Sequence, residues 1–292
     1  MKWLLTRVAY PLVVFASIGS AAGLVHLGLA PGLTAAAAFV VALLVTALLE
    51  HAHPLERAWL PSPRAMKQDA LYLGLVSLSQ MAARLLGQLL ATLVARALVG
   101  VLGPGPWPRG APLVAQCLLA LLLADFAKYW LHRLAHERPW LWRFHAEHHS
   151  PRRMYSLNGV RLHPVNALWN LVLDAGIPLA LRLDASEVLW IAVVRGAVSV
   201  LQHANVEMRL GPLDWIFSTP VLHRWHHSVK LEEANANYGS TFIVWDILFR
   251  TRHLPRGRRV PASLGLADGT SHPEGLWEQL ALPWSSRRQR RP

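Results

Sequence analysis

The chain has 292 residues, 53% of them hydrophobic and only 16% charged, and its mean hydropathy is +0.28. Soluble domains carry about a quarter charged residues, so this composition excludes an ordinary soluble protein and points to one embedded in a membrane. The net charge of +12 would suit a nucleic-acid partner, but the Lys and Arg residues flank apolar blocks as they do at a cytoplasmic membrane face, and no nucleic acid is expected. One cysteine, Cys117, lies within VAQCLLALLLA, which rules out an intrachain disulfide and a thiolate metal site.

Taken in chain order, the first apolar block runs from Val8 to Ala30 behind Lys2 and Arg7. Ser20-Ala21-Ala22 could pass for a cleavage site, but further apolar spans follow at once, which favours a retained helix over a removed signal. The turn APG leads into LTAAAAFVVALLVTALLE, so the first two blocks form a helical hairpin, each near the ~20 residues needed to cross. Residues 51–69, with three Pro and three Lys/Arg, are a polar connector. The block Ala70 to Leu102 carries Arg84 and Arg96 and is long for one span, so it tilts, breaks or lies partly at the interface. GPGPWPRG, 103–110, is a turn, and Ala111 to Leu131 returns through the membrane directly into HRLAHERPWLWRFHAEHHS, 132–150.

Four crossings put the basic N-terminus, the 51–69 connector and the region after His132 on the cytoplasmic side, in line with the positive-inside rule. A further apolar block, Pro164 to Leu201, holds Asp174, Gly176, Pro178, Arg182 and Asp184 near its middle and reads as a bent or re-entrant hairpin. SSRRQRRP at the end reads as a disordered basic tail touching anionic lipid. The expected fold is all-α: an integral membrane helical bundle of about four transmembrane helices plus a re-entrant or interfacial hairpin, with a cytoplasmic, helical, histidine-rich cap that binds metal.

Ten of the fifteen histidines fall between His132 and His227. His132 and His136 are i and i+4 on the continuation of a membrane helix, so both rings leave one face. His145, His148 and His149 are i, i+3, i+4, and His223, His226 and His227 repeat that spacing, which lets each triplet present three rings to one point. His163 and His203 flank the bent apolar block. So many adjacent imidazoles would repel one another if protonated and are costly to bury unpaired, whereas a divalent metal accepts the neutral ring. Eight to ten ligands exceed one ion, so two ions with four or five nitrogens each are expected.

Imidazole suits Zn, Cu, Fe and Ni alike. The zinc-hydrolase H-E-x-x-H pattern is broken at His136-Glu137-Arg138-Pro139-Trp140, and the Glu-x-x-His ligands of soluble di-iron bundles are missing. A nearly all-nitrogen site at the mouth of a membrane bundle points to iron and dioxygen chemistry on lipid.

DFAKYWLHRLAHERPWLWRFHAEHHSPRRM, then RLHP, QHAN, TPVLHRWHHS and NYGSTFIVWDILFRT, together resemble the fatty acid hydroxylase/sterol desaturase superfamily of integral membrane di-iron enzymes. The likeness runs from about Ala124 to Thr251 in order, and it divides the chain into an N-terminal transmembrane region (1–110), a fatty acid hydroxylase-like catalytic region (111–255) and a basic tail (256–292). The resemblance implies His132, His136, His145, His148, His149, His223, His226 and His227 as metal ligands, with His203 and His163 added from the positions between the boxes. Behind the ligands it implies Asp125, which could orient a ligand ring from two turns earlier on its helix, and Asn205, Asn237, Tyr238 and Asp246 as supporting or loop-shaping residues. Trp130, Trp140, Trp142, Trp225 and Trp245 read as interfacial anchors or packing.

The resemblance further implies two non-haem Fe ions, O2 as co-substrate, a membrane lipid (acyl chain or sterol-like) as substrate, and O2-dependent hydroxylation. Desaturation at the same site is the alternative. Electrons would come from a separate ferredoxin-like protein and its reductase, for which Arg133, Arg138, Arg143, Arg152 and Arg153 offer a basic face that could equally meet lipid headgroups. Rivals from other classes are a zinc-dependent membrane hydrolase and a metal-binding or transport protein without turnover.

Overall fold

The structure, a computed structural model, describes residues 2–81, 107–257, 260–266, 272–273 and 275–285. The part of the third apolar block that carries Arg84 and Arg96, and the tail residues 286–292, lie outside the described residues. The long helices are α1 (Lys2–His26), α2 (Pro31–Ala52), α3 (63–81, to the edge of the described segment), α4 (Leu113–Glu137), α6 (Pro164–Leu181) and α7 (Ala185–Gln202). Short helices α5 (Pro139–His149), α8 (Pro220–His226), α9 (Leu231–Ala234), α10 (Val244–Leu248) and α11 (Leu276–Ala281) follow from their ends. Among the described residues, strand pairing is limited to isolated bridges such as Phe217 with Phe242.

The packing is inverted relative to a soluble bundle. Small side chains (Ala9 and Ala21 on α1, Ala38 and Ala42 on α2, Ala197 on α7) lie between the helices, while Phe15, Leu44 and Leu48 point outward at 60–71% exposure. Lipid tails are as apolar as Leu, so large side chains gain nothing by turning inward, and small ones let backbones approach closely. This accounts for the Ala-rich run in α2. Helix α7 is the central element: one side meets α1 and α2 through Val193, Ala197, Val198 and Leu201, and Ile191 meets Cys117, Ala120 and Leu121 of α4.

Polar ties fix which helix ends lie together. Arg109 donates to Arg182 O at 2.7 Å and to Asp184 at 3.2 Å, so the turn before α4 and the turn between α6 and α7 share one end. At the other end, the Glu50 carboxylate that closes α2 accepts Ser156 N at 2.6 Å and Asn205 N at 2.9 Å, and Arg209 N donates to Thr6 O at 2.8 Å. All the histidine-bearing segments emerge at this second end.

Among the described residues, five helices are long and apolar enough to cross a membrane: Trp3–His26, Pro31–Ala52, Leu113–Glu137, Pro164–Leu181 and Ala185–Gln202. The chain is a multi-pass membrane protein. The expected hairpin over 164–201 is present as two helices of 18 residues each, joined by a turn at 182–184, with Pro178 inside the first. The polar residues that suggested a bend have separate tasks. Arg182 ends α6 in the left-handed region (φ 55°), and Asp184 and Glu187 cap α7 reciprocally. Asp174 is ion-paired to neighbouring helices.

Candidate metal centre

Each histidine box is set by a helix boundary. α4 carries His132 and His136 on its last turns and stops at Arg138, because Pro139 can open a helix but not continue one. α5 therefore restarts at an angle and brings His145, His148 and His149 back over α4. α7 ends at His203, and Pro220 opens α8, which carries His223, His226 and His227.

Nine rings converge in two adjoining groups, one of His132, His136, His145, His149 and His226, the other of His148, His203, His223 and His227, with the ligand atoms within each group no more than 4.8 Å apart. The triplets do not aim three rings at one point, as their spacing suggested. In each, the i and i+4 rings enter one group and the i+3 ring crosses to the other, in opposite senses for α5 and α8. A 3.6-residue turn puts i+3 and i+4 on either side of i, so a helix laid between two sites feeds both.

The imidazole tautomers follow from hydrogen bonding. Nδ1 of His132 faces Tyr238 O at 2.9 Å, that of His226 faces Ala236 O at 2.7 Å, that of His145 faces Asn166 Oδ1 at 2.8 Å, and that of His203 faces Asn158 Oδ1 at 3.0 Å. His136 Nδ1 lies 3.3 Å from Asn235 Oδ1. A carbonyl oxygen only accepts, so Nδ1 carries the proton and Nε2 presents a bare lone pair to the centre. These lone pairs crowd together: Nε2 atoms are 2.9 Å apart for His132 and His226, 3.0 Å for His203 and His223, and 3.2 Å for His136 and His149. An ion about 2.1 Å from two imidazole nitrogens holds them about 3.0 Å apart at a right angle and about 3.4 Å apart at a tetrahedral angle. The donor set therefore fits metal.

Protonation offers no other way to relieve the crowding. Burial pushes His203 down to about 3, and it holds His145, His148, His149, His223, His226 and His227 well below the ordinary imidazole range, with the neighbouring rings adding to the effect for these six.

His163 stands apart from both groups. Its Nδ1 accepts Val165 N at 3.1 Å as the N-cap of α6, and its Nε2 donates to Leu280 O at 3.1 Å, which leaves no lone pair for a metal. Asp125 does not reach an imidazole either: its two oxygens accept Thr241 N at 2.7 Å and Phe242 N at 3.2 Å and hold the 240–242 loop against α4. Asp246 acts one step further out by accepting Tyr238 N and Gly239 N, both at 2.8 Å, so that the Tyr238 carbonyl meets His132. A side chain at Gly239 would strike Phe242 O. Asn237, in the left-handed region at φ 56°, bridges Leu222 O and the His253 backbone. Asn205 pairs with the backbone of Glu56. Trp142 and Trp225 are buried packing residues, whereas Trp140 is 64% exposed.

Three supporting residues were not singled out from sequence: Asn158, Asn166 and Asn235. Only the Asn158-Gly159 pair carried a local signal, that of a turn. Gly159 also makes room for the metal-side ring, since a Cβ there would lie 3.0 Å from His203 Cδ2. Within the expected basic tail (256–292), residues 272, 279 and 284 make contacts with the rest of the chain. His272 Nε2 meets Glu147 at 2.8 Å, Gln279 accepts from Tyr72 at 2.8 Å, and Trp284 packs on Phe144 and His163.

A multi-pass helical bundle that closes one end with two all-histidine groups defines a class of membrane proteins with side chains that could hold metal. Residues 117–251 match the fatty acid hydroxylase family. An ornithine lipid hydroxylase of Rhizobium tropici is 45% identical over 180 residues, 61% of this chain and 53% of that protein. The alkylglycerol monooxygenase of Homo sapiens is 34% identical over 167 residues, 56% of this chain and 35% of that protein. A very-long-chain aldehyde decarbonylase of Oryza sativa subsp. japonica is 31% identical over 150 residues, 50% of this chain and 55% of that protein. The matched regions span about half or less of these relatives. No solved structure matches.

Proposed function

We propose that the chain is a membrane-bound oxygenase that hydroxylates a C–H bond of a lipid with O2. The observation that carries this reading is the pair of adjoining nitrogen-only groups, in which His132 and His226 bring two bare lone pairs to 2.9 Å. Two iron ions, the first on His132, His136, His145, His149 and His226 and the second on His148, His203, His223 and His227, would supply O2 activation and C–H cleavage. The balance is R–H + O2 + two electrons + two protons → R–OH + H2O. The electrons come from a separate ferredoxin-like donor and its reductase. The protein's share is to fix five of the nine rings through Asn158, Asn166, Asn235 and the Tyr238 and Ala236 carbonyls, and to exclude water around them.

The two adjoining nitrogen-only groups and the lipid hydroxylase and monooxygenase relatives favour iron over a zinc hydrolase, and a ligand set gathered at one end of the bundle argues against a transport path. Hydroxylation is preferred to desaturation because the R. tropici relative is a lipid hydroxylase and the human one a monooxygenase. The site lies on the cytoplasmic side by the positive-inside rule. Arg138, Arg143, Arg152 and Arg153 are exposed on the cap and suit an acidic donor protein.

The test is anaerobic purification with metal analysis, together with mass spectrometry of host lipids with and without the gene. Two irons per chain and a lipid heavier by one oxygen support the reading, and a lipid lighter by two hydrogens moves it to desaturation. Stoichiometric zinc with a lipid profile indifferent both to the gene and to His148→Ala overturns it.

A further inference from the structure

Among the described residues, the spans contain a three-residue charged cluster that the metal centre does not use. Asp174 Oδ1 of α6 is 2.8 Å from Lys128 Nζ of α4 and 2.5 Å from Arg195 Nη2 of α7, and Lys128 Nζ also donates to Asp174 Oδ2 at 3.2 Å. All three residues lie in helices apolar enough to cross a membrane. One carboxylate cannot neutralise two cations, and no other ion pair to Lys128 or Arg195 occurs among the described residues. Asp125, also on α4, has its oxygens held by the Thr241 and Phe242 amides. The backbone adds polarity at the same place, because Pro178 has no amide hydrogen for the Asp174 carbonyl four residues earlier.

The cluster is not sealed: side-chain exposure is 30% for Asp174, 17% for Arg195 and 13% for Lys128. Two cations that share one direct carboxylate partner, partly exposed within membrane-spanning helices, leave room for a further anion at the cluster. The anions that a bilayer supplies are lipid phosphates and carboxylates. Lys128 also stands one turn, about 6 Å of helix rise, before His132 on the same face of α4.

We propose that Lys128, Arg195 and Asp174 form the polar subsite that seats the phosphate or carboxylate of a lipid one helical turn from the metal centre. Resting on the lipid-oxygenase reading, this subsite directs oxidation to a carbon close to that anionic group and away from the far methyl end. Lys128 and Arg195 hold the anion; Asp174 keeps them oriented and tempers the affinity so that product can leave.

The experiment uses the metal-loaded chain in phosphatidylcholine nanodiscs doped with phosphatidylglycerol in one arm and oleate in the other, and counts retained anionic lipid per chain by native mass spectrometry. The wild-type chain and Lys128→Arg retain the anion, and preference for one arm identifies its source. The double variant Lys128→Gln, Arg195→Gln lowers retention about tenfold, the scale of a lost charged hydrogen bond. Asp174→Asn, which removes the competing carboxylate, retains as much or more. A purely structural ion cluster would make Asp174→Asn at least as damaging as the double variant, and that result overturns the proposal, as does equal retention by every variant. Metal content reports folding in each case. A wild-type chain that retains anions through the cluster but yields no oxygenated lipid overturns the oxygenase reading alone.

Discussion

The Nε2 atoms of His132 and His226 stand 2.9 Å apart while each ring commits its Nδ1 proton to a backbone carbonyl, Tyr238 O and Ala236 O. Two acceptors face each other with no hydrogen between them, an arrangement that a cation resolves and its removal exposes. Metal binding and stability are therefore coupled in this fold.

The first prediction concerns metal removal. Iron(II) added anaerobically to stripped protein raises the unfolding midpoint in a concentration-dependent way, by about 2.7 kcal/mol per site at a hundredfold excess over Kd. His226→Ala costs more stability in the loaded protein than in the stripped one, because the stripped protein sheds a repulsive contact. Thermal unfolding with and without chelator measures both effects. Equal losses in the two states refute the coupling.

The second concerns the asparagines behind the rings. Asn166 fixes His145 in one group and Asn158 fixes His203 in the other. Removing such a partner costs about 10–100-fold in metal affinity. Asn166→Ala and Asn158→Ala should each lower the metal retained on dialysis from two ions toward one, and the double variant should lose both. A single-step loss of both ions in either single variant would mean that the groups are one site.

The third sets the direction of the pH response. Burial holds His145, His148, His149, His203, His223, His226 and His227 below the usual imidazole value of about 6.5, so below that pH the unfolded chain takes up protons that the folded chain refuses. Nothing is lost above pH ~6.5, and stability falls from there toward about 3, the value for His203. Each ring contributes up to about 1.4 kcal/mol per pH unit. The unfolding midpoint of stripped protein should drop steeply between pH 7 and pH 5. A flat profile contradicts the burial of neutral rings.

How much of this was legible beforehand depends on the range of the interaction. The boxes at His132–His149 and His223–His227 were legible because helical periodicity is local, and so were the apolar spans. The split of each triplet was not, since it depends on where α5 and α8 lie relative to both groups. Asn158, Asn166 and Asn235 were missed for the same reason: they stand 45, 21 and 99 residues from the rings they hold. Asp125 misled because a carboxylate two turns before a ligand is equally suited to hold a loop. The turn of the 164–201 hairpin was legible in Arg182 and Asp184, which end one helix with an αL cap and begin the next with a capping box.

His163 provides the last prediction. Between two histidine boxes it has the position of a ligand, but its Nδ1 caps α6 through Val165 N and its Nε2 holds Leu280 O in the returning C-terminal segment. His163→Ala should therefore keep both metals. It should cost about 1 kcal/mol through the lost cap and more through the freed segment. Without that hydrogen bond, and without the ring that Trp284 and Phe144 pack on, residues 275–285 should open to limited proteolysis while the rest of the chain stays protected. His163→Asn, whose side chain can still cap, should recover the stability of α6 but leave the segment labile. Loss of one metal in His163→Ala, with the C-terminal segment still protected, would restore His163 to the ligand set and refute the capping assignment.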